Sequence, residues 1–279
     1  MLYLGHHRKT TNTESSDDTM MGPTHAMSGA AGGLAFAMGM QYAGIVDITA
    51  VEALVFAGIT AGAALLPDLD QPTATLANTW GPVSKVISKA TNKTSAGFMN
   101  MTAGRNDKHV NNGHRGLTHT LIFLIAATVA SFFLLTAGGY WAGIALFYIL
   151  TSLALQGLWK KKAKQMGAIV SNIITIFLTF AVSSMLPDTF NPVFLSAAVG
   201  VGIFIHILGD APTVSGVPFF APFVGTVSGK RWADWHILPP GLRFKANGPI
   251  NTASFYICAV AFVLLTMATV SGSIFGALV

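Results

Sequence analysis

The chain has 279 residues, 52% of them hydrophobic and only 10% charged, against about 25% charged in a soluble globular domain. A mean hydropathy of +0.58 agrees. The single cysteine excludes an intramolecular disulfide framework and a zinc-finger pattern, and the composition as a whole reads as a polytopic membrane protein.

The first 22 residues are polar, with Ser, Thr, Asn and Asp in a run that includes His6 and His7. They are expected to form a disordered cytoplasmic tail. No apolar core follows Arg8 and Lys9 directly, so a signal peptide is not indicated. Beyond the tail, Asp, Glu, Lys and Arg are absent from 19–46, 53–67, 116–158, 165–187, 189–209 and 246–279. A bilayer core of about 30 Å takes about 20 apolar helical residues. The 43 residues of 116–158 are too many for one crossing, and Gly138-Gly139 divides them. The expected fold is therefore an all-α membrane bundle of about seven transmembrane helices. They lie near 26–46, 50–66, 118–137, 140–158, 167–186, 192–210 and 252–275, in one domain covering 23–279. The second is the weakest, because Glu52 falls inside it. Gly29, Gly32, Gly33 and several alanines make the first helix a close-packing one, and Gly58 and Gly62 repeat that spacing in the second.

Basic residues orient the bundle, since Lys and Arg stay on the cytoplasmic side. Lys160, Lys161, Lys162 and Lys164 follow the fourth span and mark that loop as cytoplasmic. Alternation then puts the tail, the 67–117 loop and the 211–251 loop on the same side. Those four regions hold all sixteen basic residues, while the opposite loops carry only Asp47 and Asp188. The expected topology is N-in, C-out. It accounts for the +5 charge without nucleic acid.

With that topology, ionisable residues from four separate segments meet at one membrane face. His25 opens the first span, and Asp68 and Asp70 close the second. His114, Arg115 and His119 open the third, while His206 and Asp210 end the sixth. His206 and Asp210 are four apart and share a helical face. An extended backbone after Pro67 is expected to aim Asp68 and Asp70 inward. His114 and His119 converge only if the first lies in the entering loop and the second in the first turn, with Gly116 permitting the bend. Seven candidate ligands exceed the four of a structural zinc site and suit a dinuclear cluster. Nitrogen and oxygen donors without thiolate fit zinc, manganese or iron better than copper(I). The plainer reading is an interfacial network of satisfied polar residues, which suits Arg115 well and paired buried carboxylates poorly.

Pro67-Asp68-Leu69-Asp70, His114-Arg115-Gly116-x-Thr118-His119, and His206-x3-Asp210 followed by Thr213, Gly216 and Pro218 resemble the YdjM-like family of membrane-bound, metal-dependent hydrolases. The early His25 on a small-residue helix belongs to the same pattern, and the resemblance covers about residues 22 to 225. That family is similar, more distantly, to the zinc-dependent phospholipase C and P1 nuclease group. The resemblance implies metal ligation by His25, Asp68, Asp70, His114, His119, His206 and Asp210. Gln71 departs from it, standing where members often carry histidine.

The expected function is hydrolysis of a phosphoester in a lipid or other amphiphilic substrate. It would take place at the cytoplasmic face of a bacterial inner membrane and use a divalent metal, two zinc ions by preference. Asp70 is expected as general base and Arg115 as the phosphate clamp, with Thr213, Lys230 and Arg231 as further substrate contacts. The apolar segment 216–223, broken by prolines, is expected to be a re-entrant or interfacial loop. His236 is a candidate eighth ligand, His109 a solvated loop residue and Cys258 a small buried one. The competing classes are a divalent-cation or proton transporter, for which polar residues should continue across the midplane, and a scaffold pinned by structural metal.

Overall fold

The computed structural model describes residues 21–71, 81–185, 191–226 and 228–276. Residues 1–20 of the expected tail, with His6 and His7, and the loop residue Asp188 lie outside them, while Met21 and Gly22 begin a helix. Among the described residues the chain is helical, and its only β-type pairings are two isolated bridges, Thr213 with Phe244 and Val217 with Trp235. The helices are α1 (Met21–Tyr42), α2 (Ala50–Ala63), α3 (Pro82–Met101), α4 (Leu121–Leu158), α5 (Lys160–Ser183), α6 (Pro192–Asp210) and α7 (Pro249–Gly276). Among the described residues, four stretches are long and apolar enough to cross a membrane: Ala50–Asp70, Leu121–Leu158, Pro192–Asp210 and Pro249–Gly272. The glycine- and alanine-rich α1 is not among them, and the apolar part of α5, Val170–Ser183, is shorter.

Sequence signals explain the boundaries. The Thr49 side chain caps α2 by accepting from the Glu52 N–H, and the Glu52 carboxylate accepts from the Thr49 N–H at 2.8 Å. This reciprocal box satisfies two orphan donors and shows how Glu52, inside the Ala50–Asp70 stretch as expected, is accommodated in its first turn. Asn191 caps α6 through the N–H groups of Val193 and Phe194, ahead of Pro192. Within α4, Gly139 takes φ 55°, ψ −139°, outside the helical range. One end of α4 reaches the His119–His206 contact, at 3.1 Å, while Gly157 at the other end faces Leu65 and Ala26. Asp70 and His206 mark that same end of the bundle, so the chain reverses at Gly139.

The helices associate through small residues, as expected where lipid offers no hydrophobic drive for helix pairing. Gly29 and Gly33 of α1 lie against Thr60 and its neighbours on α2, and Gly202 of α6 meets the Thr60 carbonyl and Ala63. Gly62 touches the backbone of Leu150 on α4. The fully buried Phe56, Ile59, Leu34 and Ile203 fill the space between these helices.

The 71–113 segment, left unassigned by the sequence, contains α3. Its serines 84, 88 and 95 face inward, and it packs on the two 3-10 turns, Pro67–Asp70 and Leu117–His119, that carry site residues. A methyl group at Gly62 would collide with the Leu150 backbone, which cannot swing aside as a side chain can. Overpacking of this kind costs about 1–3 kcal/mol. Gly62→Ala is therefore expected to lower the thermal unfolding midpoint in detergent, whereas Gly39→Ala, with open space around it, is expected to leave the midpoint unchanged.

Candidate metal centre

The helix α2 stops because Pro67 has no N–H to continue the ladder. Ala64 is left with a carbonyl that takes no backbone donor among the described residues. His206 fills it: its Nδ1 lies 2.7 Å from Ala64 O. A carbonyl only accepts, so Nδ1 carries the proton, and Nε2 of the neutral ring is a lone pair.

His119 reaches the same state by another route. Its Nδ1 lies 3.0 Å from Thr118 Oγ1, whose own proton goes to Asp70 Oδ2 at 2.6 Å. Thr118 therefore accepts from His119 Nδ1–H, and His119 Nε2 is also a lone pair. The two Nε2 atoms face each other at 3.1 Å with both rings fully buried. Asp210 Oδ2 stands 3.6 Å from His206 Nε2 and 3.7 Å from His119 Nε2. Asp68 Oδ1 is 3.9 Å from His206 Nε2. Two nitrogens bound tetrahedrally at about 2.0–2.1 Å lie about 3.3 Å apart. The triangle of His119, His206 and Asp210 therefore has the dimensions of a tetrahedral ion's ligand shell, with Asp68 beside it.

On the other side of Asp210, His25 Nε2 approaches Oδ1 to 3.2 Å. Beyond this ion-pair contact, the buried Oδ1 takes no hydrogen bond among the described residues. The His25 ring stacks on His206, with centroids 3.9 Å apart. Two overlapping groups, His25–His206–Asp210 and Asp68–His119–His206, bring their ligand atoms within 4.8 Å of one another. His206 has one free nitrogen, so it serves only one of them at a time.

Asp70 and His114, expected among the ligands, stand behind them. Asp70 is fully buried, with Oδ1 2.9 Å from His114 Nδ1 and Oδ2 on Thr118. Both oxygens are engaged, one by His114 and one by Thr118. Asp68 and Asp70 lie in a 3-10 turn instead of the expected extended backbone, so they part: Asp68 faces His206 while Asp70 faces His114. Burial opposes protonation of His114, but the hydrogen bond and charge of Asp70, with the charge of Asp68, outweigh it and raise its pKa above the ordinary histidine value.

His114 and His119 do converge, ring centroids 6.2 Å apart, with His114 in the loop and His119 ending the turn. Arg115 makes the bend at φ 54°, the left-handed region that costs a side-chain-bearing residue about 1–2 kcal/mol. Its Nη2 reaches Asp210 Oδ2 at 3.4 Å, while the buried Nη1 finds no hydrogen-bond partner among the described residues.

Helix α3 holds this loop. Asn92 donates to Asp70 O at 2.8 Å, Ser95 donates to Gly113 O, and Leu117 N–H donates back to Ser95 Oγ at 2.9 Å. Asn92, Ser95 and Thr118 were not singled out from the sequence. Only Thr118 carried a signal there, inside the His-Arg-Gly-x-Thr-His block.

The remaining expectations divide. Thr213 is buried and its hydroxyl donates to Asp210 O at 2.7 Å, so it closes α6 and is not open to substrate. Lys230 and Arg231 are exposed on a loop clipped to the 102–107 turn, where Asp107 Oδ2 accepts from Arg231 N–H at 2.9 Å. Burial raises the pKa of Asp234 above the usual carboxylate value, opposed by the charges of His236, Arg115 and Lys230. His236 Nδ1 bonds Thr213 O at 3.1 Å, which places it behind α6's end. His109 is exposed, and Cys258 is half-buried instead of buried. Gln71 closes the Asp68–Asp70 turn, its N–H donating to Asp68 O. The 216–223 segment is non-helical, as expected: Phe219 packs on Trp235 and accepts from Leu121 N–H, and Phe223 is exposed.

No curated protein and no solved structure matches the chain. Residues 20–274 match the family described as YdjM inner membrane protein. The helical bundle with its convergent His-Arg-Gly-x-Thr-His and His-x3-Asp segments thus belongs to the YdjM inner membrane protein family.

Proposed function

We propose that this protein is a membrane-bound, metal-dependent hydrolase that cleaves a phosphoester of a lipid or other amphiphilic substrate at the cytoplasmic face of a bacterial inner membrane. The observation that carries the reading is the pair of Nε2 lone pairs, 3.1 Å apart and walled by carboxylates. Such a pair is repulsive unless a cation lies against it. His119, His206, Asp210 and Asp68 would hold a divalent ion such as zinc, manganese or iron. A second ion would draw on His25 and the orphaned Asp210 Oδ1. A bound divalent ion supplies Lewis acidity and a water acidified to a pKa of about 7.

The chain's own residues do the rest. Arg115, with one buried nitrogen unpartnered, grips a phosphoryl oxygen, and the exposed Lys230 and Arg231 draw an anionic headgroup toward the rim. Asp70 fixes His114 and, through Thr118, the His119 ring. In the overall reaction water adds to phosphorus, the ester P–O bond breaks, and the leaving oxygen takes a proton.

Transport is the weaker reading, because beyond Thr60 the bundle interior is packed with Phe56, Ile59, Val199 and Ile203. We place the seven crossings N-in, C-out. The reversal at Gly139 and the contact of Thr24 with Asn251, at 3.5 Å, support alternate passes that return to one end.

Elemental analysis of the purified protein is expected to find one or two divalent ions per chain, and none in a His119→Ala, Asp210→Ala variant. Absence of stoichiometric metal from the wild type after zinc or manganese reconstitution removes the hydrolase reading and leaves a proton shared between two imidazoles. In nanodiscs the metal-loaded protein is expected to release product from a panel of lipid phosphates and Arg115→Ala to lose most of that rate; equal rates would exclude Arg115 as the clamp.

Asp70→Ala should retain the metal but bind it about 10–100-fold more weakly, the usual cost of losing a partner behind a ligand. Chelator competition measures this, and a fall in stoichiometry to that of the double variant would make Asp70 a ligand after all. Reporter fusions at Lys108 and Asp47 are expected to read cytoplasmic and external, respectively; the reverse would overturn the orientation.

A further inference from the structure

Helix α3 is amphipathic in an unusual sense. Its buried face is built from Ser84, Ser88, Ser95 and Ala96, whereas Val83, Val86, Ile87 and Met101 are 60%, 67%, 41% and 79% exposed. Beside this apolar sector run Lys85, Lys89 and Lys93, all exposed and spaced four apart, which makes one stripe along the helix. An apolar sector edged by lysines, with the polar face turned into the protein, is the pattern of a helix lying in a membrane interface.

Its position agrees. The helix packs on the Pro67–Asp70 and Leu117–His119 turns, where the candidate span Ala50–Asp70 ends and Leu121–Leu158 begins. That is the level of the headgroups. In water alone, Val83, Val86 and Ile87, neighbours on one face and this exposed, would be an uncovered patch. The three lysines select what covers it, since cations at this depth pair with anionic lipid.

We propose that α3 is an anionic-lipid-binding helix: Val83, Val86 and Ile87 enter the acyl boundary while Lys85, Lys89 and Lys93 engage phosphate headgroups. Its inner face holds Asp70 through Asn92 and the Gly113–Leu117 turn through Ser95. Seating of α3 on the lipid surface therefore also holds the loop that carries His114 and Arg115.

The test uses the full chain in nanodiscs. Cys258→Ala removes the only cysteine, and Val86→Cys then takes a single nitroxide, with Phe177→Cys on the 74% exposed face of α5 as a lipid-facing reference. Accessibility to oxygen and to a water-soluble nickel chelate is compared in discs of equal phosphatidylglycerol and phosphatidylcholine and in discs of phosphatidylcholine alone. In the anionic discs the position-86 label should favour oxygen, as the reference does. That preference should fall severalfold without phosphatidylglycerol and in a Lys85→Gln, Lys89→Gln, Lys93→Gln chain. A label open to nickel in the anionic discs overturns the proposal. So does a label equally immersed in both lipids and indifferent to the lysines.

Discussion

The bond from His206 Nδ1 to the Ala64 carbonyl, 2.7 Å long, organises the rest of the centre. It exists because α2 gives way to the Pro67–Asp70 3-10 turn, which leaves the Ala64 carbonyl with no backbone donor among the described residues. In a membrane an unsatisfied carbonyl costs several kcal/mol, so the α6 imidazole is held by the same need that would otherwise destabilise the helix end. Satisfying Ala64 points Nε2 at His119. The proline, the break, the tautomer and the facing lone pairs form one causal chain from sequence to site.

The helical, membrane-type character of the chain was legible because charge is so costly in lipid that its absence marks apolar helices directly, four of which are long enough to cross among the described residues. The Gly138-Gly139 break and the close-packing glycines of α1 and α2 followed from elementary sterics. Two elements were not legible. The serine inner face of α3 and its exposed Val83, Val86 and Ile87 invert the usual pattern of polar out and apolar in, so a periodicity search tuned to soluble helices passes over it. The Asp68–Asp70 pair was misread because alternation in an extended strand would turn both carboxylates the same way. A 3-10 turn advances about 120° per residue, so residues two apart diverge, and the two carboxylates take separate tasks.

The grouping of ligand-type residues at one end of the bundle was visible from topology alone, but its internal division was not. Sequence spacing cannot tell a carboxylate that faces the centre from one that faces a ligand's far nitrogen. That distinction depends on Thr118, whose hydroxyl has a single proton to give. Because Asp70 accepts it, Thr118 must accept from His119, and the second imidazole is turned into a donor of electrons toward the centre.

Buried polar groups at this density need an account of what balances them. Asp70 and Asp210 are both at 1% exposure or less, with His25, His119 and His206 at 3% or less around them. Paired buried charges are rarely favourable compared with well-packed apolar residues. The left-handed Arg115 adds backbone strain, held by Gly113 and Gly116 pressed against α3. Strain of this kind persists where the surroundings over-determine it, and it clusters at functional sites. A fold that needed only stability could have closed the end of this bundle with leucines. The cost makes sense if a cation and an anionic substrate supply the missing partners, one against the facing imidazoles and the other against the unpartnered guanidinium nitrogen.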